Sequence, residues 1–221
     1  MTKAIPIAAC LCFVLAAVAA ADPAPIPLQP STGYRDYCDG FGKIAKKACP
    51  RGHVPARLWR ALAFPPLGPG GECPVSMPHR ISKLMAPALG SKPVYMRSYG
   101  YQGDYSAVDM LSPAPYGSHA YGTGWTVAKI GVTTRTGFHE PLLIRGQRLD
   151  GTASLGFSGH AGRRPFDAMQ FPGVRLRHRI GKFDESGLGV WATAPGCYGV
   201  QIDGKTFRRD VVFRVVYSPS S

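Results

Sequence analysis

From residue 94 to residue 217 the chain repeats one pattern. Short runs rich in Val, Ile, Leu, Tyr, Phe and Thr are separated by Gly, Pro or Ser. The runs fall at 94–97, 107–111, 125–133, 141–149, 154–157, 174–180, 190–192, 198–202 and 210–217. Runs of this length between turn-forming residues predict strands. The clearest alternation is Val174, Leu176, His178 and Ile180 against Arg175, Arg177 and Arg179. Successive side chains of a strand point to opposite faces, so the first set is expected inside and the three arginines outside. Residues 201–206, with Asp203-Gly204 as the turn signal, followed by 211–216 predict a C-terminal hairpin. About eight short strands with no long helical pattern between them imply an antiparallel sandwich or barrel.

Upstream the periodicity disappears. Residues 31–72 read as irregular, with a helical turn expected at 44–49. The segment 56–64 (ARLWRALAF) fits either a short helix bracketed by Pro55, Pro65 and Pro66 or an extended stretch pinned by Trp59. Gly68-Pro69-Gly70-Gly71 marks a boundary before Cys73. With 27 glycines, 21 prolines, 45% apolar and 18% charged residues in 221, the composition excludes collagen, coiled coil, a disordered chain and a polytopic membrane protein.

The first residues change how the cysteines are read. Lys3, an apolar run over 5–20 and Ala19-Ala20-Ala21 have the form of a cleavable export signal spanning 1–21. The expected destination is outside the cell, at its surface or in a periplasm, with no membrane span after cleavage. The organisation expected is therefore a signal at 1–21, an irregular and partly flexible segment at 22–72, and a β-sandwich at 73–217. Cys10 and Cys12 would leave with the signal, and Cys38, Cys49, Cys73 and Cys197 would remain. Four cysteines in an exported chain suggest two disulfides, for which sequence allows three pairings. A local Cys38–Cys49 loop with a long Cys73–Cys197 staple is favoured. Zinc-type CxxC or CxxH spacing is absent.

Catalytic chemistry has weak support. Gly156-Phe157-Ser158-Gly159-His160 approaches the nucleophile-elbow pattern but is out of register, and no helix follows it. Ser118-His119 is a sequence-adjacent pair, which rarely has base–nucleophile geometry. The six histidines, His53, His79, His119, His139, His160 and His178, lack ligand spacing. Asp184-Glu185 is the adjacent acid pair, and Asp104 and Asp109 lie in a tyrosine-rich stretch able to line a cleft. No catalytic residue, metal ligand or cofactor is assigned. The tyrosines at 95, 99, 101, 105, 116 and 121 suit loop packing better than a carbohydrate contact.

The strongest signal is the net charge of +13. Arg163, Arg164, Arg175, Arg177, Arg179, Lys182, Arg208 and Arg209 are concentrated in the C-terminal half. Arg175, Arg177 and Arg179 on one solvent face, with Arg163 and Arg164 nearby, would form a row of forked donors suited to phosphate or carboxylate groups. Outside the cytoplasm the matching partners are an anionic envelope polymer, acidic polysaccharide, anionic lipid headgroups or extracellular DNA, rather than intracellular nucleic acid, with the envelope polymer favoured.

Three blocks stand in the same order as in a group of secreted proteins from high-GC, actinobacterial-type bacteria. They are Cys73-Pro74-Val75-Ser76, residues 143–151 (LIRGQRLDG), and Pro195-Gly196-Cys197-Tyr198 with Val200-Gln201-Ile202-Asp203-Gly204, Phe207 and Val212-Phe213-Arg214. The chain resembles that group over roughly residues 72–216. The resemblance implies an exported single domain and supports pairing Cys73 with Cys197. It carries no catalytic residues, because the group has no established activity. The chain departs from it at Ile130-Gly131-Val132, where a tryptophan is expected, and in the basic, glycine-rich stretch before Trp191. The expectation is thus an all-β, antiparallel, immunoglobulin-like sandwich with an irregular N-terminal extension. Its expected role is that of an exported binding or structural module of the envelope. The alternative is a small secreted hydrolase using loop carboxylates or His119 and His160.

Overall fold

The structure, a computed structural model, describes residues 27–38, 51–65, 67–68, 70–98, 104–110, 124–159, 165–173 and 178–217. Among them are eleven strands. In chain order these are β1 (Leu89–Ser91), β2 (Val94–Arg97), β3 (Ala107–Met110), β4 (Thr126–Arg135), β5 (Leu142–Arg148), β6 (Leu155–Ser158), β7 (Ala168–Phe171), β8 (His178–Ile180), β9 (Phe183–Ala192), β10 (Gly196–Asp203) and β11 (Arg208–Tyr217). One sheet has the order β1-β2-β4-β9-β6, with β8 also paired to β9. The other has the order β3-β11-β10-β5-β7. The two pack face to face as an antiparallel, all-β sandwich, so of the sandwich and barrel that the strand pattern allowed the sandwich is the one formed. One pairing differs, because β3 runs parallel to β11.

Alternation explains the layers. Ile130, Val132, Leu188 and Val190 from the first sheet meet Ile144, Tyr198, Val200, Ile202, Val211 and Phe213 from the second in one buried core. Burying side chains of this size contributes roughly 1.5–3 kcal/mol each. The β10–β11 hairpin forms where expected, with Asp203 opposite Arg208. Its loop is residues 204–207, closed by the Gly204 N–H donating to the Phe207 carbonyl at 3.0 Å.

Cys73 and Cys197 are bonded, with their Cα atoms 5.6 Å apart. This ties the segment before β1 to the start of β10. Cys38, at the end of a short helix (Tyr34–Cys38), is also disulfide-bonded. Its partner lies outside the described residues, as does Cys49.

The stretch before Cys73 lies on the outer face of the second sheet. Val54 and Leu58, with Tyr34 beside them, pack on Leu143 of β5 and Ala168 of β7. A 3-10 turn spans Ala56–Leu58, and the chain beyond it is extended, so 56–64 combines the two expected forms. The Val54 N–H donates to Gln170 Oε1 at 2.8 Å. Gln201 accepts from the Ala63 N–H and donates to the Ala61 carbonyl, both at 3.3 Å. Gly199 of β10 is bare because Phe64 crosses it: a Cβ there would lie 2.8 Å from the ring.

Strand β8 departs from the alternation predicted for it. His178, expected inside, is exposed, and Ile180 is half-buried. The cause is pairing. β8 hangs on the first residues of β9, where Glu185 and Asp184 stand opposite His178 and Arg179, and Ile180 alone of the three meets an apolar partner, Phe183. Residues 174–177 lie outside the described residues.

Candidate functional site

Antiparallel register decides where each turn goes. β1 ends, β2 begins, β4 ends and β9 begins at the same end of the first sheet, because Val94 pairs with Thr134 and Arg135 pairs with Phe183. In the second sheet Asp203, Arg208 and Leu143 mark the corresponding end. The β1–β2, β4–β5, β8–β9 and β10–β11 turns therefore share one end of the sandwich.

Direct contacts join them. The Thr136 N–H donates to the Lys182 carbonyl at 3.0 Å. Phe138 meets Phe207 with ring centroids 6.1 Å apart. Arg209 lies over Phe207 at 5.5 Å and donates to the Lys92 carbonyl at 2.7 Å. A Cβ on Gly181 would touch Leu84 at 3.4 Å, so the Lys83-Leu84 turn borders the Gly181-Lys182 turn.

Each turn carries a cation. Lys83, Lys92, Arg135, Lys182 and Lys205 are all exposed. Among the described residues none of these five has a carboxylate within ion-pair distance. The nearby acids are mostly engaged; the exception is Glu140 on the β4–β5 turn, half-buried and with no ion-pair partner among the described residues. Asp203 is fully buried and accepts from Arg60 at 3.1 Å, Arg145 at 2.9 Å and Gln201 at 2.8 Å. Arg60 also donates to the Phe207 carbonyl at 2.7 Å and the Gly204 carbonyl at 3.0 Å, and so holds the hairpin loop from beneath. Arg145 donates to the Arg60 carbonyl and stacks 5.3 Å from the centre of the Trp59 ring. Asp210 is bound in fork geometry by Arg208 at 3.0 and 2.6 Å, and that hydrogen-bonded pairing raises the Arg208 pKa. The end as a whole is thus a set of exposed cations mounted on a base in which Asp203 and Asp210 are neutralised.

The residues expected from sequence fall out differently. Arg163, Arg164, Arg175 and Arg177 lie outside the described residues. Arg179 is half-exposed and donates to buried Asp184 at 3.4 Å. Lys182, Arg208 and Arg209, noted for their charge, join the cationic end. Lys83, Lys92, Arg135 and Lys205 were missed because they are far apart in sequence. A signal was present: three of them stand within two residues of turn punctuation, as Lys92-Pro93, Arg135-Thr136-Gly137 and Gly204-Lys205.

The candidate catalytic groups are built into the fold. Ser158 is buried on β6 and accepts from the Trp191 indole at 2.8 Å. Asp184 and Glu185, adjacent in sequence, point to opposite faces of β9, as Leu188 and Val190 do relative to Trp191. Glu185 is clasped by Arg97 at 2.7 and 2.5 Å and accepts from Thr133 at 3.0 Å. Its carboxylate fills the space above Gly131, where a Cβ would sit 2.6 Å from Oε2. Asp104 accepts from the Ser106 hydroxyl at 2.6 Å and pairs with Arg214. Those interactions, the Ser106 hydrogen bond first, hold its pKa below the ordinary value. His119 and His160 lie outside the described residues. Among those described, no group of three His, Cys, Asp or Glu side chains is placed to hold a metal. No described helix is long and apolar enough to cross a membrane.

No protein-family model matches this chain, and no curated protein matches it.

Proposed function

We propose that the protein is an exported, non-catalytic binding module that holds an anionic polymer of the cell envelope against the cationic end of its sandwich. One observation carries this reading. Five turn-borne cations share a surface on which the neighbouring carboxylates are buried or already paired, apart from half-buried Glu140 on the β4–β5 turn. Cations arranged this way attract a chain of phosphates or carboxylates through the summed field rather than through one pocket. The Cys73–Cys197 bond suits an oxidising compartment, which supports export.

Retention on heparin and on phosphocellulose tests the proposal. Elution should move to higher salt than for a neutral sandwich of equal size, because exposed charges are screened by salt. Replacing Arg135, Lys182 and Lys205 together by serine should move elution to clearly lower salt without changing the unfolding midpoint. An unchanged elution position overturns the cationic end as the site. Arg175, Arg177 and Arg179 replaced by serine form the second arm. A loss confined to that arm would return the site to the arginine row.

A further inference from the structure

The excursion between Ser76 and β1 has an unusual make-up. Residues 77–88 (MPHRISKLMAPA) contain no acid, two cations and two of the large apolar side chains left most exposed, Met77 at 85% and Leu84 at 72%. The excursion is not loose. Met85 and Ala88 are buried with Tyr95 and Phe183, and Ile81 and Ile180 pack against them. His79 and Ala88 exchange backbone hydrogen bonds at 3.0 Å. The fold thus anchors one side of the excursion and presents Leu84 outward at a turn, where the Leu84 N–H donates to Ser82 Oγ at 3.1 Å.

Leu84 is exposed beside charge. Lys83 precedes it, Lys182 follows the glycine it borders, and Arg135 lies one turn further across the same end. The three turns, 82–85, 135–138 and 179–182, contain no carboxylate. The acids nearest in sequence are Asp184, bound by Arg179, and half-buried Glu140. A soluble polyanion would use the cations and leave the leucine in water. A bilayer with anionic headgroups uses both, since lysines sit at the phosphate level while an apolar side chain enters the acyl boundary.

We infer that the cationic end is a membrane-docking surface, on which Leu84 inserts into an anionic lipid surface while Lys83, Arg135 and Lys182 contact the headgroups. This rests on the cationic end being the binding surface, as proposed above, and takes lipid headgroups in place of a polymer as the anions it meets.

The test is co-sedimentation of the processed chain with phosphatidylcholine vesicles, with and without phosphatidylglycerol, run beside heparin retention. Binding should require phosphatidylglycerol. Leu84→Ser should lower vesicle partitioning about tenfold, the scale expected for withdrawing one leucine from an apolar phase. It should leave heparin retention and thermal unfolding unchanged, because the side chain is exposed. Leu84→Trp should bind as well as the parent and be quenched by bromine-labelled acyl chains. Equal vesicle binding by Leu84→Ser and the parent, or binding that ignores phosphatidylglycerol, overturns the inference. If heparin retention survives such a result, the charged-surface reading stands without it. Loss of both readouts removes the two together.

Discussion

The two ends of the sandwich solve opposite problems with similar residues. At the far end Asp150 accepts from Arg148 at 2.6 Å and from the Cys197 N–H at 3.1 Å. Leu149 donates to the Cys197 carbonyl at 2.8 Å, and the Tyr198 hydroxyl donates to the Ala194 carbonyl at 2.7 Å. The Cys73–Cys197 bond closes the same region covalently. There, charge is spent on bracing. At the near end Asp203 and Asp184 sink into the fold, Asp210 stays at the surface with Arg208, and the lysines remain outside. The same excess of basic residues therefore gives rigidity at one end and an outward field at the other. The difference is that the near end withdraws two of its acids, Asp203 and Asp184, beneath the surface, while its turn lysines stay unpaired among the described residues.

The largest effect expected is at the braced end. Cys73→Ser together with Cys197→Ser should cost about 4–5 kcal/mol, because the bridge closes 124 residues. Guanidinium unfolding reads this directly, and a loss under about 1 kcal/mol would mean the bond braces little.

Asp203→Ala comes next. It leaves Arg60 and Arg145 facing a buried vacancy, and removing one partner of a buried pair costs about 3–5 kcal/mol. Faster hydrogen exchange should accompany it at Ala63, whose N–H is held by Gln201, the neighbour of Asp203. Unfolding with no change in that exchange would separate the N-terminal layer from the Asp203 pairing.

Gly131→Ala probes the sheet face between the ends. The new methyl meets a carboxylate already fixed by Arg97 and Thr133, so a loss of about 1–3 kcal/mol is expected in the same unfolding assay. Full stability would show that Glu185 can swing aside.

Lys92→Ser with Lys182→Ser should change stability by less than about 0.5 kcal/mol, in contrast to any change at the braced end. A larger loss would place these lysines in the structure rather than on its surface.

Acid gives the smallest effect. Burial alone would raise the Asp150 carboxyl, but Arg148 and the Cys197 N–H outweigh it and hold the pKa below the ordinary aspartate value. Asp104 is lowered too. Both groups therefore contribute fully above the ordinary range, and the contribution fades below about pH 4 as pH falls through the folded values. Asp150→Asn should flatten that part of the stability–pH curve, and an unaltered curve would show that the pairing contributes nothing to stability.

Much of the fold was legible. Residues 94–97 form β2 with the bounds expected, and the runs at 107–111, 125–133, 141–149, 154–157, 198–202 and 210–217 correspond to β3, β4, β5, β6, β10 and β11. Alternating β-branched and aromatic residues carry that signal locally. Three pieces were not legible. β7 is Ala-Met-Gln-Phe, which has little strand character, and it exists because Leu142 and Ile144 of β5 offer it an edge. β1 has three residues and a glycine. The first half of β9, Phe183-Asp184-Glu185-Ser186-Gly187, reads as a turn, yet Asp184, Glu185 and Ser186 are buried by partners from β8, β2, β4 and the N-terminal helix.

The sequence by itself determined the sandwich class, the C-terminal hairpin, the bond between Cys73 and Cys197 as the favoured pairing, and the basic excess. Apart from that pairing, which joins cysteines 124 residues apart, these follow from residue types and short spacings, which act within a strand or a turn. Only the tertiary structure decided which end each cation occupies and which acids are withdrawn from the surface. The site is made by register. Hairpin turns far apart in sequence meet because antiparallel strands return to the same end, and no local pattern records that return.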